Sequence, residues 1–314
     1  TDRKYSRCYT ASFSFPVGYW SIASTWSRSK YMQFIQGLNT EFQSSGSDTN
    51  KSLSIDRLMW RYKYGRFKLK SSLTLKNKKN FIEDSPVDAS TRKLSVLRVG
   101  GEYSDFMFGG YFSTGAYYYR GLKYFGAYKD KGEMKEDTPR AQFNKYELTL
   151  LWNKPFSIAR QNFGYLIIMD GQFTNKTLYS SEKMSIGDVN TIRGFREGVV
   201  VGDRGYFIRN EVSINDFSSI WTYLKGAKIF IGYDNGYVVE KAGKKANYGQ
   251  GKARLSGCAS GFTYSSALTD FNITYARRIS SPSFVKADKY VVYFSVMANL
   301  SGALEEGWKY AISD

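Results

Sequence analysis

Apolar and polar residues alternate with a period of two along most of this chain. On Asn144–Trp152, Tyr146, Leu148, Leu150 and Trp152 share one face, and Glu147 and Thr149 the other. Tyr165–Thr174 sets Tyr165, Ile167, Met169 and Phe173 against Asp170, Gln172 and Thr174. Lys228–Tyr237 sets Ile229, Ile231, Tyr233 and Tyr237 against Lys228, Gly232, Asp234 and Gly236. Leu268–Arg277 does the same with Phe271, Ile273 and Tyr275, and Tyr290–Leu300 carries Tyr290, Val292, Phe294 and Val296 on its apolar face. A period of two is the signature of strands, and no long window shows a competing 3.6 period.

The same reading predicts strands at Thr10–Pro16, Trp20–Ile35, Ser52–Tyr64, Phe67–Leu75, Lys93–Ser104, Tyr111–Phe125, Tyr206–Ser213 and Ala253–Ser265, giving thirteen in all. Gly37–Lys51, Asn77–Thr91, Lys129–Arg140, Glu240–Lys252 and Ile279–Lys289 read as polar loops. Many strands reach about ten residues or more, as a tilted membrane strand requires, whereas soluble strands run to about 5–6. Connections alternate short and long, the habit of barrels with short periplasmic turns and long outer loops. The expected fold is all-β: a transmembrane antiparallel up-and-down β-barrel over residues 1–300, with 301–314 as a tail of unassigned role. The first strand ends at a short turn and so runs toward the periplasm. The last also finishes there, so either an odd number of strands is expected to precede Thr1 or some of the thirteen merge two strands, and this chain alone should not close a barrel.

Composition narrows the chemistry. Among 314 residues there are 26 Tyr, 22 Phe and only 5 Pro, which favours strands. No run approaches the roughly 20 apolar residues of a spanning helix. The chain opens on Thr1-Asp2-Arg3-Lys4, without an apolar signal segment. There is no histidine, which removes Ser-His-Asp and Cys-His catalysis and His-ligated metals. Cys8 and Cys258 lack CxxC partners and read as two small buried or lipid-facing residues, their pairing left open. No P-loop is present, and the chain is expected to be no enzyme and to use no cofactor or metal. The net charge is +17, but its Lys and Arg are spread along the chain. Lys76, Lys78 and Lys79 fall in one loop, Lys129, Lys131 and Lys135 beside acids in a second, and Lys241, Lys244 and Lys245 in a third. Dispersed charge argues against nucleic acid; it fits solvated loops, or attraction to an anionic membrane surface.

The remaining signal is a long glycine-punctuated loop over 180–203, carrying Ile192-Arg193-Gly194-Phe195 and running into the strand Tyr206–Ser213. There Tyr206, Ile208 and Val212 oppose Phe207, Arg209, Glu211 and Ser213. A loop this long usually has a function.

Ile192–Phe195 followed by Gly202-Asp203-Arg204-Gly205-Tyr206-Phe207-Ile208-Arg209-Asn210-Glu211 resembles the sixth extracellular loop and following strand of two-partner-secretion transporters, the TpsB family of the BamA-like superfamily. Pro16–Trp20 resembles an early turn of that family, Tyr233-Asp234-Asn235-Gly236 its inward-facing Asp-x-Gly strand, and Phe271–Phe294 its last hairpin. Two departures stand out: Leu300 in place of a terminal aromatic, and Gly232 where the superfamily often carries Phe. The resemblance implies a 16-stranded barrel preceded by periplasmic POTRA domains, so three strands and those domains would lie outside this sequence. It also implies that the loop folds back into the lumen. A guanidinium there needs a carboxylate. Asp234 is the expected partner of Arg193, with inward-facing Glu211 and Asp170 as runners-up. Gly194 would allow a close backbone approach, Phe195 would pack as an apolar plug, and Arg209 would support the loop from the wall. The implied function is export of a large unfolded exoprotein, the TpsA partner, by a monomeric pore in the outer membrane; the basic excess is expected to attract lipopolysaccharide phosphates at the outer loops. A BamA-like assembly factor, a passive porin and a histidine-free enzyme are the alternatives.

Overall fold

A computed structural model describes residues 5–36, 41–83, 85–86, 91–196, 199–218, 222–241, 251–285 and 287–298. Leu300, the 301–314 tail, Lys244 and Lys245 lie outside them. The strands are β1 (Tyr5–Val17), β2 (Trp20–Gln36), β3 (Glu41–Arg61), β4 (Arg66–Ile82), β5 (Ser85–Pro86), β6 (Arg92–Met107), β7 (Gly110–Leu122) and β8 (Asn144–Ile158). Then follow β9 (Gln161–Phe173), β10 (Met184–Ile186), β11 (Val200–Gly202), β12 (Arg204–Asn215), β13 (Ala227–Val239), β14 (Lys252–Ser265), β15 (Thr269–Ser280) and β16 (Tyr290–Ala298).

The thirteen long strands match the thirteen predicted from the alternation, one for one. They are hydrogen-bonded neighbour to neighbour in chain order within a 14-stranded sheet, in which β5 adds to β4 and each register given is antiparallel. That is the up-and-down order expected of the fold. The short β10 and β11 form a separate two-stranded hairpin.

Among the described residues, most of two polar stretches read as loops is strand. β3 begins at Glu41 and pairs with β2 as far as Gln36↔Glu41. β4 continues through Lys76–Lys79 to Ile82, opposite Ser44. A hairpin that extends into water satisfies its backbone by cross-strand pairing and needs no apolar face. The period-two signal therefore vanishes there although the strand does not. The 129–140 stretch, also read as loop, is held internally. Both Asp130 carboxylate oxygens accept backbone N–H groups, from Ala141 and Gln142 (2.8 and 2.9 Å), and Thr177 Oγ1 donates to the Glu136 carbonyl (2.6 Å).

The chain divides into two compact units. The first comprises Thr1–Ser104, Gly115–Glu147 and Thr174–Ser181. Within it, Leu94, Val96, Ala141, Phe143 and Leu178 form a buried cluster on one face of β6. Many of its other large apolar side chains, among them Phe13, Ile22, Trp26, Leu53 and Leu69, are exposed.

The second unit comprises Asp105–Thr114, Leu148–Phe173 and Glu182–Asp314. On β12 and β13, Phe207, Glu211, Ser213, Phe230 and Asp234 are buried, while Val212, Ile229, Ile231 and Tyr233 are exposed. In water this would be inverted, with carboxylates inside and isoleucines outside. In a bilayer it is the expected arrangement, because lipid solvates the outward apolar face. Cys8 and Cys258 are both free thiols.

Candidate functional site

The site is the β10–β11 hairpin and its tip, in the second unit. Met184↔Gly202 and Ile186↔Val200 pair the stem. Gln172 on β9 anchors its base, donating through Nε2 to the carbonyls of Glu182 (3.0 Å) and Asp203 (2.9 Å). Asp203, fully buried, accepts the backbone N–H of Lys241 at 2.7 Å, and Lys183 pairs with Glu240. The tip bends because Asp188 Oδ1 accepts the N–H groups of Asn190 (2.8 Å) and Thr191 (2.9 Å), while Thr191 Oγ1 accepts that of Gly187 (2.9 Å). Asp and Thr form such local turns because their short side chains reach neighbouring backbone groups.

Beyond this turn the chain presents Arg193 to the wall. Its side chain is only 2 % exposed. Nε donates to Asp234 Oδ2 (2.7 Å) and Nη2 to Oδ1 (2.9 Å), a bidentate pair, and the backbone N–H of Arg193 adds a third bond to Oδ2 (3.0 Å). Nη1 donates to Glu211 Oε2 at 3.0 Å. The other oxygen of Glu211 accepts from Lys228 Nζ at 2.6 Å. Phe230 lies beneath, its ring centre 5.5 Å from the guanidinium carbon. Burial works against the charge of Arg193, but hydrogen bonds and charge from Asp234 and then Glu211 outweigh it, so its pKa is raised. The planar fork of arginine matches a carboxylate in a way a lysine ammonium does not.

Register explains why these two acids meet the arginine. Asp234 stands opposite Arg209, and Glu211 opposite Gly232, two residues along each strand on the same face. Gly232 has no side chain where the guanidinium lies: a Cβ there would be 2.3 Å from Arg193 Nη2. Gly257 on β14 makes equivalent room for the loop backbone, since a Cβ would be 1.9 Å from the Arg193 carbonyl oxygen. Gly194 has φ +102°, a conformation that side chains rarely adopt, and packs against the backbone of Arg277 and Arg278.

Ile192 and Phe195 flank the arginine and are fully buried, in a cluster with Met184, Ile186, Phe207, Val238 and Leu255. Tyr293 on β16 holds the backbone: its hydroxyl accepts the Gly194 N–H at 3.2 Å and donates to the Phe195 carbonyl. Arg209 supports the tip from the wall, Nη1 donating to the carbonyls of Val189 and Asn190, each at 3.0 Å.

Arg193, Gly194, Phe195, Asp234, Glu211 and Arg209 thus converge. Asp170 does not: among the described residues the guanidinium bonds only to Asp234 and Glu211, and Asp170 stands opposite Phe207. Sequence reasoning missed Tyr293, Gln172, Asp203 and the Asp188–Thr191 turn. The turn alone left a local trace, as an Asp and a Thr three residues apart after a glycine. The other three act across distances in sequence that no spacing reveals.

Long antiparallel strands with outward apolar faces, and a polar opposite face on which the arginine-tipped hairpin is laid, are the architecture of outer-membrane β-barrels. Among them, the chain belongs to the family described as haemolysin secretion/activation protein ShlB/FhaC/HecB, whose model matches residues 1–264. It is 28 % identical over 286 residues to outer membrane transporter CdiB of Dickeya dadantii, covering 91 % of this chain and 50 % of that protein. It is 28 % identical over 222 residues to hemolysin transporter protein HpmB of Proteus mirabilis, covering 69 % and 39 %. The solved structure of CdiB from Escherichia coli superposes with a TM-score of 0.83 at 24 % identity, over 94 % of this chain and 53 % of that one. BamA from Haemophilus ducreyi shares the fold alone, with a TM-score of 0.62 at 11 % identity over 93 % and 62 %. The chain spans about half the length of these CdiB relatives.

Proposed function

We propose that this chain is the barrel portion of a monomeric outer-membrane pore that exports a large partner exoprotein by two-partner secretion, and that the 180–203 loop is its gate and structural clamp. The observation that carries the clamp is the bidentate Arg193–Asp234 pair, with Glu211 as second acceptor. A buried charge held by two acids on adjacent wall strands ties the hairpin to the sheet, and it comes free only by breaking bonds that water then replaces. Support for export comes from the relatives, named as an outer membrane transporter (CdiB) and a hemolysin transporter protein (HpmB). The polar wall face suits an extended backbone sliding past without one tight binding site. Folding of the cargo outside the cell would drive transport. Cationic side chains at the outer rim would meet lipopolysaccharide phosphates.

The test exchanges the charges in the full-length transporter, co-expressed with its exoprotein. Arg193→Asp and Asp234→Arg each reduce secretion, and the double variant recovers part of it. No recovery removes the pairing from the mechanism. If depletion of the protein instead lowered many outer-membrane proteins together, the BamA-like assembly reading would replace export.

A further inference from the structure

The outward face of the first unit carries a feature that export does not require. The registers of β1 to β6 align side chains into cross-strand rows. In one row Arg7 faces Lys30, Lys30 faces Ser47, and Ser47 faces Lys79. In the next, Arg28 faces Thr49, Thr49 faces Asn77, and Asn77 faces Lys93. One row further, Trp26 faces Lys51 and Lys51 faces Leu75. These three rows hold six cations and no carboxylate; the nearby acids of β3, Asp48 and Asp56, alternate onto the other face. Directly below, the same face turns apolar through Phe13, Ile22, Leu53 and Ile55, all exposed.

The position of the cations can be judged against membrane thickness. At the short-turn end of β3, Trp60 stacks on Tyr62 and Phe67, with ring centres 5.6 and 6.0 Å apart, an aromatic cluster of the kind that marks an interface. From Trp60 back to Thr49, in the Arg28 row, is about 37 Å at ~3.4 Å per residue. A strand tilt of ~40° reduces this to about 28 Å along the membrane normal, close to the ~25 Å apolar band of an outer-membrane barrel. The cations therefore sit at headgroup level, at the end that carries the long connection between Leu122 of β7 and Asn144 of β8, and long loops face outward in such barrels. A hollow of about 400 Å³ opens among Arg28, Lys30, Thr49, Asn77 and Lys79. In it the Asn77 Oδ1 is buried without a hydrogen-bond partner, and turning the amide over presents two N–H donors at the same place.

We propose that this face of β1, β2, β3, β4 and β6 is a binding site for a phosphorylated outer-leaflet glycolipid, lipopolysaccharide, resting on the outer-membrane placement proposed above. The cations and Asn77 receive its phosphates, and the apolar rows below receive its acyl chains. From β1 to β6 the patch spans four strand spacings, roughly 19 Å at ~4.8 Å each, wide enough for more than one phosphate. A single-phosphate lipid would engage only part of it. Such attraction is local, fading within a Debye length of the surface.

The test uses the full-length protein, delipidated in detergent and placed in nanodiscs, its fold verified by the heat-dependent shift of its band on gels. Binding of purified lipopolysaccharide is measured by native mass spectrometry, with the same lipopolysaccharide after phosphatase treatment and phosphatidylglycerol as comparison probes. The combined variant Arg28→Gln, Lys30→Gln, Lys51→Gln, Lys79→Gln binds lipopolysaccharide at least tenfold more weakly, and phosphatase treatment weakens wild-type binding to a similar degree. Phosphatidylglycerol competes at least tenfold less well. The triple variant Lys30→Arg, Lys51→Arg, Lys79→Arg retains binding, and Arg28→Gln with Lys30→Gln alone gives an intermediate loss should the combined variant not fold. Unchanged affinity in the glutamine variants, or equal competition by phosphatidylglycerol, overturns the proposal. Secretion is measured in parallel. Lost lipid binding with retained export is the expected pattern, whereas absence of export in the wild type would count against the transport reading alone.

Discussion

Removing Asp234 tests the clamp most directly. Asp234→Ala deletes three hydrogen bonds to Arg193, two from the guanidinium and one from its backbone N–H. The arginine is left 2 % exposed with one remaining acid, Glu211, which it shares with Lys228. Breaking a buried pair by removing one partner costs about 3–5 kcal/mol. Because Glu211 still takes part of the charge, the low end applies, about 3 kcal/mol. If the hairpin opens locally, that amount raises its open population about 150-fold, at 1.4 kcal/mol per factor of ten. The readout is hydrogen exchange of the Gly194 amide, whose acceptor is Tyr293 and not Asp234, so the substitution leaves that bond in place. Exchange at Gly194 should accelerate by about two orders of magnitude. A cycle with Arg193→Met should return a coupling energy near the top of the ~0.5–3 kcal/mol range seen for contacting residues, since the double variant no longer buries an unpaired charge. An acceleration below about threefold, or a coupling below ~0.5 kcal/mol, would refute the reasoning.

Two further outcomes follow from the same geometry. Gly257→Ala places a methyl group 1.9 Å from the Arg193 carbonyl, where only backbone can yield. It should weaken the docked hairpin by about 1–3 kcal/mol, seen as faster exchange over 187–196 with little change over β3 and β4. Tyr293→Phe leaves the Gly194 N–H and the Phe195 carbonyl without their partner, at a cost of about 1–3 kcal/mol. Gly194 should then exchange faster while the Arg193 amide, held by Asp234, stays slower than its neighbour; equal exchange at the two amides would assign the hydroxyl no local role.

Alternation along Asn144–Trp152 or Lys228–Tyr237 was enough to place strands and assign their faces, because lipid on one side enforces apolar residues at every second position. The same parity put Asp234, Glu211 and Asp170 on the face opposite the lipid-exposed side chains, and the motif around Arg193 singled out the loop. The polar ends of β3 and β4 were illegible, since a hairpin wetted on both faces carries no such pattern although its backbone pairs fully. Only the three-dimensional register decided among the acids, bringing Asp234 and Glu211 beside the guanidinium and leaving Asp170 opposite Phe207. It likewise gave Gly232 and Gly257 their purpose as empty space, and brought the Tyr293 hydroxyl to a loop 98 residues earlier. Periodicity reports which solvent each side chain meets; which distant side chain it meets depends on how the strands slide against one another, and local sequence does not encode that.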